Sequence, residues 1–250
     1  MTRMLRFLSP LAFLAAATPL FSPFTLAAQK SVAEDGQAVP WDAAFPDRSA
    51  NTPLHFVARY VDGAGKAHRL EEWRVGTQHL RRRTDDRIDL HADAVGHTMP
   101  GQPTDYLWQI LDLQKHIAHR VSTVGMLRLG MLYSYYSMAH LMTRPAGQFT
   151  VRQASEPVPK LGSTDSLAAV PAKLPACTWW QIDAPGQPST RACWMPGYGL
   201  PAELWSQSPA GWRLTFAVES LDTHALPART FATNTAGFQV RSVDELEAED

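Results

Sequence analysis

Histidine, cysteine and aspartate are the residues of this sequence whose types and spacing could support chemistry. His116 and His119 form the motif HIAH, but on a strand a separation of three places them on opposite faces, so this spacing does not predict a metal site. His140 stands late in an apolar segment, where a histidine stabilises a helix end or makes a core hydrogen bond. Asp112 precedes a predicted turn, where aspartate usually bonds its own backbone.

The usual catalytic motifs are missing from the sequence. There is no Gly-rich phosphate loop, no G-x-S-x-G motif, no H-E-x-x-H and no C-x-x-C. Strands and helices are not predicted to alternate, which argues against a nucleotide-binding fold. The sequence therefore predicts a protein that is not an enzyme and has no catalytic residue, metal or cofactor.

The overall charge excludes one class of partner. The chain has 250 residues, 45% of them apolar, with 23 Lys and Arg residues against 24 Asp and Glu residues. Such a balance is typical of a globular protein and gives no general attraction to nucleic acid or to anionic lipid. No nucleic-acid partner is therefore expected.

The N-terminal segment 1–28 has the pattern of a secretory signal peptide. Arg3 and Arg6 precede an apolar run over 7–20, and small residues end at Ala28, where we expect cleavage. The run is shorter than the roughly 20 residues of a spanning helix. The expected product is a periplasmic protein with no transmembrane segment in the mature chain.

Two cysteines, Cys177 and Cys193, fall in the part that would be exported. In an oxidising compartment a disulfide is favoured over a metal pair or a nucleophile. The hairpin predicted between them would allow the bond if it brought their Cα atoms within about 7 Å.

Most of the remaining chain reads as short strands. After an extended lead-in over 29–53, apolar and polar residues alternate in repeated short runs separated by turns, as in LHFVARYV from Leu54. About eleven strands are predicted, forming an antiparallel sheet in a single domain over 54–243, with an acidic tail over 244–250.

Charged residues also fall into a cross-strand pattern. A turn around Gly76 and Thr77 would place Glu71 opposite Arg82 and Glu72 opposite Arg81. The run of three arginines is then best interpreted as a solvated strand face, with a phosphate or nucleic-acid patch as the alternative.

One segment changes period from two to about 3.6. Apolar residues recur every three or four positions, which predicts one long helix over 123–142. The stripe consists of Leu127, Met131, Tyr135, Met138 and Met142. Arg128 and His140 argue against a membrane span. Two interpretations stay open: plain core, or one side of a site for an apolar ligand.

Three stretches of the sequence stand out: EEWRVGTQHLRRR, WQILDLQKHIAHRVS and CWMPGYGLPAEL. Together with the signal peptide and the helix after the sixth strand, they resemble the LolA-like superfamily. That group includes periplasmic lipoprotein carriers, an outer-membrane lipoprotein receptor and an envelope-stress sensor domain. The resemblance implies a curved, unclosed β-barrel that is covered by helices and holds acyl chains or other hydrophobic ligands. No cysteine lies near the cleavage region, so the anchored receptor is not expected.

Alternation and the helical stripe, rather than family motifs, indicate which residues would surround such a ligand. The concave sheet would contribute Phe56, Tyr60, Trp73, Trp108 and Ile110, and the helix would contribute Leu127, Met131, Tyr135 and Met138. The predicted function is a soluble periplasmic binding or carrier protein for a lipid, a lipoprotein acyl chain or another hydrophobic ligand. The alternative is an envelope sensor or interaction domain that binds a protein partner, with the helix as plain core.

Overall fold

The computed structural model describes residues 36–46, 52–85, 87–95, 104–128, 134–157, 167 and 174–241, apart from the side chains at 124, 127 and 128. The predicted signal peptide, its cleavage near Ala28 and the acidic tail over 244–250 lie outside the described residues.

Twelve strands are present among the described residues. In chain order they are β1 Pro53–Val61, β2 Ala67–Val75, β3 His79–Thr84, β4 Ile88–Ala94, β5 Tyr106–Asp112, β6 Ile117–Ser122, β7 Thr150–Gln153, β8 Thr178–Asp183, β9 Thr190–Met195, β10 Leu200–Ser208, β11 Gly211–Asp222 and β12 Gln239–Arg241. The helices are α1 Trp41–Ala44, α2 Thr123–Arg128 and α3 Tyr135–His140, with a 3₁₀ turn over Ala228–Thr230.

All twelve strands belong to one sheet. Their order is β12-β6-β5-β4-β3-β2-β1-β11-β10-β9-β8-β7, so the sheet is open, with β12 and β7 at its edges. Strands β1 to β11 pair antiparallel, whereas β12 pairs parallel with β6. The fold is therefore mainly β with an unclosed sheet, as the sequence predicts.

The predicted long helix over 123–142 is wrong. Helix α2 covers only Thr123–Arg128, and Ser134 has extended backbone angles (φ −93°, ψ 154°) before α3 begins. Leu141 then ends α3 in the left-handed region (φ 56°). An extended residue cannot continue a helix, so the apolar stripe spans separate elements. None of the helices among the described residues is long and apolar enough to cross a membrane.

The predicted pairing of β2 with β3 is wrong by one residue. Val75 pairs with His79 across a loop of three residues, which places Glu71 opposite Arg83 and Glu72 opposite Arg82. Residues directly opposite one another share a face of the sheet. One row across the sheet therefore consists of Phe56, Glu72, Arg82, Leu90 and Ile110. We call the face that carries this row the inner face, and the other the outer face.

Apolar clusters cover the inner face and extend beyond it. Over β3 to β6, Met126 of α2 and Met138 of α3 pack with sheet residues such as Leu80 and Trp108. A second cluster joins β1, β2, β9, β10 and β11. Part of the predicted lead-in belongs to a third, because Trp41 and Phe45 are buried against β7, β8 and β9.

The C-terminal segment after β11 crosses the outer face. Arg81 Nη1 donates to the carbonyl oxygen of Thr230 at 2.9 Å, and the rings of His79 and Phe231 stack 5.2 Å apart. The segment ends as the edge strand β12, beside β6. The two faces of β3 to β6 are therefore covered by different parts of the chain: α2 and α3 inside, the C-terminal segment outside.

Candidate functional site

Helix α3 has its own start and stop signals. The Ser134 hydroxyl accepts the backbone N–H of Ser137 at 3.0 Å, and the Ser137 hydroxyl accepts that of Ser134 at 3.1 Å. These reciprocal bonds are a capping box, which satisfies amide groups that a helix leaves unpaired at its N-terminus. Because Leu141 ends the helix after six residues, the carbonyl groups of its last turn need partners outside it.

Two arginines from the sheet supply those partners. Arg82 donates to the carbonyl oxygen of Met138, and Arg74 donates to that of Ala139. Arg74 also donates through Nη2 to the carbonyl oxygen of Tyr198 at 2.6 Å. The positive charges lie at the C-terminal end of α3, where they interact favourably with its carbonyl dipoles. We call Glu72, Arg74 and Arg82 the inner-face cluster.

Glu72 is the acidic member of the inner-face cluster. It is fully buried, and its Oε2 accepts from Nε and Nη2 of Arg82 at 2.9 and 2.6 Å. Its Oε1 is buried and has no hydrogen-bond partner among the described residues. Burial raises the pKa of Glu72 above its ordinary value, although the charges of Arg82 and Arg74 oppose this shift. The carboxyl group is thus held on one side only.

Aromatic side chains also fasten α3 to its surroundings. The Tyr135 hydroxyl donates to the carbonyl oxygen of Gly76 at 2.7 Å, and its ring stacks on Tyr106 with centroids 4.5 Å apart. Buried His140 shares a hydrogen bond with the carbonyl oxygen of Gly199, consistent with the structural role predicted for this histidine. Gly199 has φ 61°, and a Cβ atom there would lie only 2.9 Å from the His140 ring, so only glycine fits.

Six of the nine residues predicted to surround a ligand belong to the apolar clusters of the inner face. Phe56 and Trp108 are buried on the inner face, and Tyr135 and Met138 are buried where α3 meets it. Ile110 and Tyr60 are partly buried at the edges of the same clusters.

Of the other three predicted residues, one lies on the outer face and two have side chains outside the described residues. Trp73 lies between two inward residues of β2 and therefore faces outward, where its ring stacks on His55 at 5.1 Å and beneath the Arg81 guanidinium at 5.2 Å. It does not share a face with Phe56. Leu127 belongs to α2, but its side chain, like the whole of Met131, lies outside the described residues.

The cysteine pair lies where the predicted hairpin places it. The Cα atoms of Cys177 and Cys193 are 5.3 Å apart, which is within disulfide distance and confirms the predicted proximity. Trp179 is the residue directly opposite Cys193, so Cys177 is its diagonal neighbour. The pair ties the start of β8 to the second apolar cluster.

Two surface hollows lie away from α3 and the inner-face cluster. Their volumes are about 830 and 640 Å³, and both adjoin Arg144 and Pro185. The larger one also adjoins Trp41 and Phe149. Neither hollow contains a residue of the inner-face cluster.

The inner-face cluster is not among the sites that the sequence predicts. The predicted register gives Glu72 and Arg82 different partners, and no sequence pattern singles out Arg74. The available signal was the strand alternation itself, because Leu70, Glu72 and Arg74 occupy the same face and Leu70 is apolar. Ser134 and Ser137 were a second signal, since their spacing is that of a helix cap.

Comparisons with models of known protein families and with curated proteins return no match for this chain. The resemblance to the LolA-like superfamily therefore stays a prediction.

Proposed function

We propose that this chain is a periplasmic binding or carrier protein for a lipid, an acyl chain or another hydrophobic ligand, and that α3 is a displaceable cover of the inner face. One observation carries the proposal. A six-residue helix lies on a largely apolar sheet face and is held at its last turn by hydrogen bonds from two sheet arginines to its backbone carbonyls.

The energetics favour a displaceable cover over plain core. Charged groups in an apolar interior are a poor source of stability, since well-packed apolar residues of similar volume often serve equally well or better. Yet the inner face contains Glu72, Arg74 and Arg82 beside residues such as Phe56 and Trp108. Two of them, Arg74 and Arg82, hold α3 through hydrogen bonds, and another hydrogen-bond acceptor could take the place of the α3 carbonyls.

Displacement of α3 would leave an apolar surface in need of a new cover. Leu80, Leu90 and Trp108 are all buried in the cluster that includes Met138 and Ala139. Exposing such a surface to water is unfavourable by roughly 25 cal/mol for each Å² of apolar area. An acyl chain in place of α3 would remove that cost.

A second candidate is an envelope interaction domain in which α3 is ordinary core. The close packing of Tyr135 on Tyr106 and the burial of Met138 favour this candidate. The two candidates predict different ligand binding once the polar hold on α3 is removed from a folded protein.

A paired substitution on the inner face tests the proposal. In Glu72→Leu/Arg82→Leu both charges are removed together, so neither is left buried alone, and the bond to Met138 is lost. That bond contributes about 1.5–3 kcal/mol, as hydrogen bonds to charged groups do. We expect α3 to be displaced about tenfold more often or more, because about 1.4 kcal/mol is a factor of ten. The measurement is the affinity for phenylnaphthylamine, a dye that fluoresces in apolar surroundings.

The matched control uses the neighbouring pair on the same two strands. Glu71 lies opposite Arg83 on the outer face, so Glu71→Leu/Arg83→Leu should leave dye affinity at the wild-type value. Circular dichroism would establish that both variants are folded. A folded inner-face variant that binds the dye no better than wild type contradicts the proposal and favours the interaction domain. Native mass spectrometry of protein purified from its own periplasm should reveal a co-purified apolar ligand.

A further inference from the structure

One oxygen of Glu72 is left without a donor beside the last turn of α3. Arg82 Nη2 donates both to Glu72 Oε2 at 2.6 Å and to the carbonyl oxygen of Met138, so a single nitrogen joins the carboxyl group to the helix. Glu72 is fully buried, and its Oε1 has no hydrogen-bond partner in the described part of the chain. Because a buried acceptor without a donor is costly, this oxygen favours any arrangement that supplies one.

The groups that α3 directs at the cluster cannot supply that donor. The last turn of a helix presents carbonyl oxygens, here those of Met138 and Ala139. Met138 also offers its sulfur atom, 3.6 Å from Nη1 of Arg82, and a thioether accepts as well. All of these groups accept hydrogen bonds and none of them donates. The cover therefore matches the arginines of the cluster but not its carboxyl group.

A ligand displaces α3 only if it interacts with the open face better than α3 does. A plain hydrocarbon replaces the apolar contacts of the helix and brings nothing for Glu72. A hydroxyl group donates through its hydrogen and accepts through its oxygen, so it can serve Glu72 Oε1 and an arginine together. An ammonium group also donates, but it would lie beside the like charges of Arg74 and Arg82. A hydroxyl group is thus the better match.

We propose that the inner face takes an acyl or alkyl ligand with a hydroxyl-bearing head group, whose O–H donates to Oε1 of Glu72. This inference rests on the proposed function. The chain lies over the apolar residues that α3 covers, such as Leu90 and Trp108, and the head group lies where α3 ends. Fatty alcohols and monoacylglycerols have this chemistry, whereas methyl esters and ethers only accept hydrogen bonds.

Two matched pairs of ligands isolate the hydroxyl group. Dodecanol is compared with dodecyl methyl ether, and glycerol monolaurate with methyl laurate, each competing with phenylnaphthylamine for the wild-type protein below its micellar concentration. Measurement at about pH 8.5 favours the carboxylate form of Glu72, in which Oε1 accepts and cannot donate. We expect the hydroxyl-bearing member of each pair to bind about tenfold more tightly, as for one hydrogen bond to a charged group. The pair with the larger ratio identifies the ligand class as alcohol or monoacylglycerol.

An isosteric variant tests whether Glu72 is the partner of that hydroxyl group. Arg82 donates twice to one carboxyl oxygen, so the amide in Glu72→Gln would keep its oxygen toward Arg82 and place its NH₂ group where Oε1 lies. An NH₂ group donates to an ether or an ester as readily as to a hydroxyl group, so the preference should disappear. Glu71→Gln is the matched control, because Glu71 precedes Glu72 on β2 and lies on the outer face, and it should keep the preference.

The outcomes distinguish this inference from the function on which it rests. Equal binding within both pairs overturns the hydroxyl-bearing head group and leaves apolar-ligand binding intact. Failure of all four compounds to displace the dye refutes the proposed function, and this inference with it. Retention of the hydroxyl preference in a folded Glu72→Gln protein contradicts recognition by Glu72.

Discussion

Arg81, Arg82 and Arg83 leave strand β3 on opposite faces of the sheet and meet two different buried carboxylates. On the outer face, Asp89 accepts from Arg81 at 2.9 and 2.6 Å and from Arg83 at 3.0 Å. On the inner face, Glu72 accepts only through Oε2, from Arg82. The outer carboxylate is enclosed by donors, and the inner one is held on one side.

The two groups differ in pKa for this reason. Burial raises the pKa of both, but at Asp89 hydrogen bonds from His91 and Arg81 outweigh burial and hold the pKa well below its ordinary value. At Glu72 burial outweighs the charges of Arg82 and Arg74, and the pKa is raised. Asp89 is therefore stabilised as a carboxylate by the fold, whereas the carboxylate form of Glu72 is disfavoured.

The arginines of the two faces donate hydrogen bonds to different kinds of acceptor. Arg81 directs two of its groups to Asp89, while Arg82 shares its Nη2 between Glu72 and the carbonyl of Met138, and Arg74 donates to Ala139 and Tyr198. On the outer face, Asp89 with Arg81 and Arg83 joins neighbouring strands and so stabilises the sheet. The inner cluster ties part of its hydrogen bonding to a short helix, which is what a displaceable cover requires.

The largest expected effect comes from removing one partner of the inner pair. Arg82→Leu leaves Glu72 buried without its principal donor and also removes the bond to Met138. Breaking a buried ion pair in this way costs about 3–5 kcal/mol. We expect a loss of that size in the free energy of unfolding, measured by urea denaturation at neutral pH. The double variant Glu72→Leu/Arg82→Leu should recover most of it; equal instability would show that the unpaired charge is not the cause.

Neutralising one carboxylate on each face should have smaller and different effects on the free energy of unfolding. Asp89→Asn should lower the free energy of unfolding by about 1.5–3 kcal/mol, because hydrogen bonds to a charged group are lost. Glu72→Gln should be neutral or stabilising at neutral pH, since the fold disfavours the ionised form of Glu72. Urea denaturation at pH 7 measures both. A destabilised Glu72→Gln protein would show that the inner carboxylate is as well satisfied as the outer one.

The same two variants should change the pH dependence in different ranges. Asp89 has a lowered pKa, so its contribution is present above its ordinary value of 3.8 and lost as pH falls through the folded pKa. Glu72 has a raised pKa, so its contribution is present below its ordinary value of 4.5 and lost as pH rises through the folded pKa. Asp89→Asn should therefore flatten the acid limb of the stability profile, and Glu72→Gln should flatten the limb above it.

The strands could be predicted from the sequence, but the register that creates these clusters could not. Short runs with apolar residues, separated by turn signals, identified β1 to β6. Val75 pairs with His79 across three residues, with a bond from Gln78 N–H to Val75 O at 3.0 Å, where a shorter turn was predicted. A shift of one residue exchanges the partners of every arginine on β3.

The helical segment shows a different limit. Leu127, Tyr135 and Met138 fit one helical stripe, and periodicity alone cannot show where the backbone leaves the helix. The capping box at Ser134 and Ser137 begins a new helix, yet both serines also fit a small-residue face of a single long one. The contacts of α3 with Arg74 and Arg82 join residues 65 and 56 positions apart, respectively, which no local pattern reveals.

The smallest effect is expected where a partly buried histidine meets two more exposed carboxylates at the surface. His68 lies between Asp85, which contacts its Nδ1, and Asp62, 2.9 Å from its Nε2. Two hydrogen bonds raise the pKa of His68 above its ordinary value of 6.5: the bond to Asp85 contributes most, and the bond to Asp62 contributes less. Its contribution to stability is therefore present below pH 6.5 and is lost as pH rises through the folded pKa.

Solvent screens this cluster, so its effect should be far weaker than that of Glu72 or Asp89. His68→Gln should reduce the fall in urea midpoint from pH 6 to about pH 8. His224→Gln is the control, because the His224 side chain is 92% exposed beside Asp222. If His68→Gln and His224→Gln give the same profile, two hydrogen-bonded carboxylates do not stabilise an imidazolium near the surface of this fold, and deeper burial is what separates Glu72 and Asp89 from it.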